Sequence, residues 1–76
     1  MTDAADQAPH APIKRSLTIA GHATSVRLER LFWQELERIA AQERRSLAAL
    51  VAEIDRDRPA SLASALRVYV LRRYAG

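Results

Sequence analysis

Between residues 24 and 28 polar and apolar side chains alternate, with Ser25 and Arg27 falling on one side and Val26 and Leu28 on the other. Period two is the mark of a pleated strand with one buried face. Beyond Glu29 the period lengthens, and Phe32, Leu36, Ile39 and Ala40 recur at helical spacing as a single apolar stripe. Glu29 lies in the first turn, and Arg44 and Arg45 near the end, as the helix dipole favours. Ser46 is placed to cap a second helix that carries Leu47, Leu50, Val51 and Ile54 inward, and the run Asp55, Arg56, Asp57, Arg58 followed by Pro59 closes it. Ser61 caps a third helix with Leu62, Leu66, Tyr69 and Val70 on one face and Val68 and Leu71 on another. Apolar residues around so much of its girth imply two neighbours, and so a place at a subunit interface. The elements expected are a strand at about 23–28 and helices at about 30–44, 46–57 and 61–74.

A shorter alternation precedes these, from Lys14 and Arg15 through Ser16 and Thr18, with Leu17 and Ile19 on one side. Ala20, Gly21 and His22 interrupt it, and Gly21 permits the positive φ of a turn or bulge. The pattern fits two short strands or one bent one. Residues 1–12, rich in Ala, Asp and Pro and without apolar period, read as a disordered tail before a single domain over 13–76.

A lone strand at the head of a helical chain has no place for its backbone donors and acceptors. The simplest partner is the same strand of a second copy. Two such strands form an antiparallel ribbon with an apolar underside and a small, basic upper face, of a width that the major groove of DNA admits. Size points the same way. A chain of 76 residues without cysteine has neither disulfides nor thiolate metal sites to stabilise it, which leaves oligomerisation as the common remedy. The longest apolar run, residues 47–52, is too short for a bilayer, and the first dozen residues lack the order of a signal peptide, so a soluble cytoplasmic protein without a membrane partner is expected.

Charge sharpens the picture. Residues 1–12 carry −2, whereas residues 13–76 hold twelve basic and seven acidic side chains, a balance of +5, and eleven of the twelve cations are arginine. The guanidinium fork suits phosphate and guanine edges. Glu35, Glu37, Glu43, Glu53 and Asp55 stand beside arginines at helical spacing and read as ion-pair partners, not as catalytic acids. No nucleophile–base order or phosphate-cradling glycine loop appears, and His10 and His22 alone make no metal site. The expectation is therefore no enzyme, no cofactor and no metal. Trp33, beside Phe32, reads as a core or interface residue, and Tyr69 and Tyr74 as packing residues with a polar tip.

The order strand, helix, Arg45-Ser46 turn, helix resembles the ribbon-helix-helix superfamily of bacterial repressors, of the Arc, MetJ and CopG type, over residues 24–58. A fuller pattern is closer to one uncharacterised bacterial ribbon-helix-helix domain family. It comprises residues 15–19, Gly21-His22, Thr24-Ser25-Val26, Phe32-Trp33, Ser46-Leu47-Ala48, residues 52–55 and residues 64–71. The resemblance implies a mainly α fold with a short N-terminal β segment, forming an intertwined homodimer through an intermolecular antiparallel β-ribbon, plus a third C-terminal helix. It implies a sequence-specific DNA-binding transcriptional regulator, a repressor. Ala23, Ser25 and Arg27 would face base edges. Lys14, Arg15, Arg44 and Arg45, with the amides of Ser46 and Leu47, would contact phosphates. Val26, Leu28, Phe32, Leu36, Ile39, Leu47, Leu50, Val51 and Ile54 would form the dimer core. Two alternatives stand beside this. One is an antitoxin that binds DNA similarly and neutralises a toxin protein with its C-terminal segment. The other is an oligomerisation module without DNA, suggested by the short side chains of Ala23 and Ser25. Pairing of dimers into tetramers through the third helix stays open.

Overall fold

The two alternating segments are separate strands. In the computed structural model, which describes residues 11–57 and 61–75, β1 (Pro12–Ile19) and β2 (His22–Glu29) pair antiparallel, from Pro12 opposite Glu29 to Ile19 opposite His22. The connection is a two-residue turn in which both residues have positive φ, 53° at Ala20 and 84° at Gly21. That hand of turn matches the twist of paired strands. Gly21 adopts it freely, and a Cβ there would meet nothing within 4 Å, so the glycine serves the dihedral angle alone. Ala20 adopts it against its own Cβ, at a cost of about 1 kcal/mol.

The strand expected to stand alone thus has a partner from its own chain. β1 satisfies the donors and acceptors along one edge of β2, and the opposite edge of β2 has no strand partner among the described residues. β1 also begins at Pro12, inside the span read as a tail. Proline, lacking an N–H, is tolerated as the first residue of an edge strand. Residues 1–10, where the rest of that tail falls, lie outside the described residues.

Three helices follow, α1 (Arg30–Gln42), α2 (Leu47–Arg56) and α3 (Leu62–Ala75). α1 stops two residues short of its expected end because Arg44 turns left-handed, with φ 57°. The Arg45 amide donates to Ala40 O at 3.0 Å and the Arg44 amide to Ala41 O at 3.1 Å, a Schellman closure built on arginine where glycine is the usual choice. Ser46 caps α2 as expected, its Oγ accepting from the Ala49 amide at 3.0 Å. Ser61 does the same for α3, accepting from the Ser64 amide at 3.1 Å. No helix among the described residues is long and apolar enough to cross a membrane.

One chain buries its own core. Leu28, Leu36, Ile39, Leu50, Val51 and Leu66 are essentially inaccessible, and Ile19, Val26, Trp33, Ala40, Leu62 and Val70 nearly so. Of the residues expected in a dimer core, Val26, Leu28, Leu36, Ile39, Leu50 and Val51 are therefore covered within the protomer, while Phe32, Leu47 and Ile54 are half-buried against them. The cover comes from β1 on one side and from Leu62, Leu66 and Val70 of α3 on the other. Trp33 sits deeper than Phe32 for the same reason. β1 offers the Ile13 carbonyl, to which Trp33 Nε1 donates at 2.9 Å, so the indole is buried with its polar atom satisfied. The second face of α3 stays open, with Val68 47 % and Leu71 57 % exposed.

Candidate nucleic-acid interface

The hairpin has an inner face packed on the helices and an outer face toward solvent. Alternation places Lys14, Ser16 and Thr18 of β1 and Ala23, Ser25 and Arg27 of β2 on the outer face, all exposed. Register sets them in rows: Thr18 opposite Ala23, Ser16 opposite Ser25, and Lys14 opposite Arg27. The two serine hydroxyls approach to 3.4 Å. Lys14 and Arg27 make no ion pair among the described residues, although like charges directly opposite on a sheet repel. Glu29, the next residue of the same parity on β2, is already engaged. Its carboxylate accepts from Arg67 Nε at 2.9 Å and Arg67 Nη2 at 3.1 Å, and this fork holds its pKa below the usual carboxylate value. The outer face is therefore a small-residue strip ending in two uncompensated cations.

An open cleft of about 450 Å³ is lined by residues 24–27 of β2 and by Asp55, Ser61, Leu62 and Ala63, with no β1 residue among them.

The second candidate contact is the start of α2. Amides in the first turn of a helix lack intrahelical acceptors and attract anions. Ser46 Oγ takes the Ala49 amide, leaving those of Leu47 and Ala48 at the end of the helix. Arg44 stands beside them, exposed, and makes no ion pair among the described residues.

A family model for the ribbon-helix-helix domain matches residues 12–74. This chain belongs to the ribbon-helix-helix family. No curated protein matches its sequence. Among solved structures it is similar to an uncharacterized protein from Bordetella pertussis Tohama I, with 39 % identity and a TM-score of 0.77 over 91 % of this chain and 60 % of that one. The chain thus spans three-fifths of that protein's length. Ribbon-helix-helix domains are commonly DNA-binding regulators or antitoxins, typically dimeric and not typically enzymes.

Within this ribbon-helix-helix domain, two of the expected phosphate contacts are otherwise employed. Arg15 has the parity of Leu17 and Ile19 and turns to the inner side. Its Nη1 pairs with Glu37 at 2.8 Å, and its guanidinium lies 5.0 Å from the centre of the Trp33 ring, which ties β1 to α1. Arg45 bridges Glu43, at 2.8 Å, and Glu53, and so fastens the end of α1 to α2. That contact lowers the pKa of Glu53. Both guanidiniums are committed because a carboxylate stands within reach in the folded chain. Lys14 and Arg44 remain available.

Sequence reading also missed several groups. Ser16 and Thr18 share the outer face with Ser25 and Arg27, and their parity, opposite to Leu17 and Ile19, was the available signal. The Glu35–Arg38 pair follows the helical spacing read from the sequence, but Tyr74, which joins it from the end of α3, had no local signal. Arg38 donates to Glu35 at 2.7 Å and to Tyr74 Oη at 3.0 Å, and the phenol donates to Glu35, whose pKa is lowered chiefly by that bond. His22 flanks the turn with its carbonyl, which accepts from Thr24 Oγ1 at 3.4 Å, and its ring makes no hydrogen bond among the described residues.

Proposed function

We propose that the protein binds duplex DNA as a homodimer and acts as a transcriptional regulator, a repressor. The observation that carries this reading is the pair of cations, Lys14 and Arg27, without an ion pair among the described residues, on a sheet face of small side chains whose carboxylate, Glu29, is engaged by Arg67. A second copy joins along the edge of β2 that has no strand partner, antiparallel across a two-fold axis. The central pair of strands then faces the major groove, with Ala23, Ser25 and Arg27 turned toward the base edges. Arg27 is the one among them long enough to donate two hydrogen bonds to a guanine. Lys14 and Arg44, with the first amides of α2, hold phosphates and set the register.

Fluorescence anisotropy with labelled duplexes selected from a random pool tests this. Binding should weaken steeply as salt rises, with a slope of about 0.9 in log–log terms for each phosphate neutralised. Absence of affinity for any duplex at low salt, from a protein that is folded and dimeric, would refute the proposal. It would favour an assembly module, a reading to which the exposed Leu31, Val68 and Leu71 lend support. The antitoxin reading fits less well, because α3 places Leu62, Leu66 and Val70 in the core of the free chain instead of keeping them for a toxin.

A further inference from the structure

β1 has no counterpart in a one-strand-per-chain ribbon, yet it carries three polar side chains on the outer face. We infer that β1 is a phosphate-gripping strand, in which Lys14, Ser16 and Thr18 contact the DNA backbone and leave base reading to Arg27. The inference rests on the DNA-binding dimer proposed above and extends it to residues with no role there, Ser16 and Thr18.

Width decides the matter. Joining two hairpins along β2 gives the strand order β1, β2, then the partner copy's β2 and β1. Neighbouring strands stand about 4.8 Å apart, so the outer axes are separated by about 14 Å. The major groove is about 12 Å across, wide enough for two strands and too narrow for four. The flanking strands must then lie over the phosphate ridges while the central pair spans the opening. What β1 presents there suits the position: one ammonium and two hydroxyls, all exposed, with no carboxylate among them. Hydroxyls and lysine are ordinary donors to phosphate oxygens. Lys14, directly opposite Arg27, meets a phosphate beside the base pair that Arg27 reads, and an anion between the two cations relieves their mutual repulsion.

Seating on the ridges also limits depth. The groove floor lies about 8.5 Å below its rim. A methyl group or a serine hydroxyl on a strand held at the rim does not reach that floor, whereas an extended arginine does. Ala23 and Ser25 thus face the bases without touching them.

The test compares a preferred duplex with an unrelated one of equal length, using Ser16→Ala, Thr18→Ala and Lys14→Ala in the full chain. Each hydroxyl removed should weaken both duplexes by the same factor, about three- to tenfold. Lys14→Ala should lower the salt slope by about one for each protomer. Phosphate-ethylation interference should lose two symmetry-related positions in Lys14→Ala and keep the rest. A change in the preferred sequence on replacing Ser16 or Thr18 would overturn the inference by placing β1 inside the groove, and so would unaltered affinity in all three variants. Failure of the wild-type protein to bind any duplex would instead bring down the DNA-binding reading itself. Circular dichroism of each variant separates loss of contact from loss of fold.

Discussion

The outer face of the hairpin and the flank formed by α1 and α3 are both rich in cations and use them in opposite ways. On the flank, Arg38, Arg67 and Arg73 each have a carboxylate within 2.7 to 3.0 Å, and every one of those pairs joins two elements or two turns. Arg38 and Arg73 also lie 5.8 and 5.9 Å from the rings of Tyr74 and Tyr69. On the hairpin, Lys14 and Arg27 face each other without an acid between them. The first group is occupied with holding the chain together, and the second has no carboxylate partner among the described residues. A net positive charge says nothing of this division, which appears only when each guanidinium is traced to its partner.

The contrast can be broken most sharply by removing the hairpin cations together. Lys14→Ala with Arg27→Ala should cost DNA affinity about a hundredfold or more at moderate salt, while the melting temperature stays or rises, because two repelling charges have gone. Arg67→Ala should do the reverse, lowering the melting temperature and leaving DNA affinity nearly intact. Loss of binding in Arg67→Ala with an unchanged fold would erase the distinction between the two surfaces.

Arg44 offers an intermediate case, since it sits in a strained position and is uncompensated. Arg44→Gly should stabilise the fold by about 1 kcal/mol in denaturant titration, as glycine takes the left-handed conformation freely. The same change should weaken all duplexes alike, by several-fold. A stabilised variant that binds as well as the parent would remove Arg44 from the interface. At the turn, Ala20→Asn should stabilise by about 0.5 to 1 kcal/mol without altering DNA binding, because asparagine tolerates positive φ at the first position of such a hairpin loop.

Acidification gives the smallest effect and tests the flank alone. Glu29, Glu35 and Glu53 have pKa values lowered in the folded chain from 4.5, by Arg67, by Tyr74 with Arg38, and by Arg45 respectively. A carboxylate with a depressed folded pKa contributes stability that is present above its unfolded value and lost as pH falls through the folded one. Thermal stability should therefore decline as pH drops below about 4.5, and the Glu29→Gln variant should decline less steeply. Glu53 is exposed and Glu29 and Glu35 partly so, and solvent screening keeps each contribution modest.

Much of this was legible in the chain itself. Ser46 and Ser61 announced both helix starts, and the alternation of residues 24–28 gave the correct face to Val26, Leu28, Ser25 and Arg27. Parity in β1 was legible too. Leu17 and Ile19 face inward, so Arg15 must, yet charge alone suggested a phosphate contact. Other features were written in no local pattern. The Ala20-Gly21 turn lacks the Asn-Gly or Asp-Gly signal of a tight hairpin, so pairing of β1 with β2 competed evenly with a bent strand. Phe32 and Trp33 fit the helical stripe equally well, and a carbonyl twenty residues away, on Ile13, decides between them. Arg45 could not be told from Arg44 until Glu43 and Glu53 came together around it.

The hairpin has one consequence for assembly. A chain that closes over its own leucines leaves no buried core position for a mate to complete. In the proposed dimer, two copies would meet as finished pieces and could part again without either one melting. Exchange of subunits in that dimer would proceed at the pace of dissociation, not of unfolding, and the number of paired copies would follow the concentration of the protein.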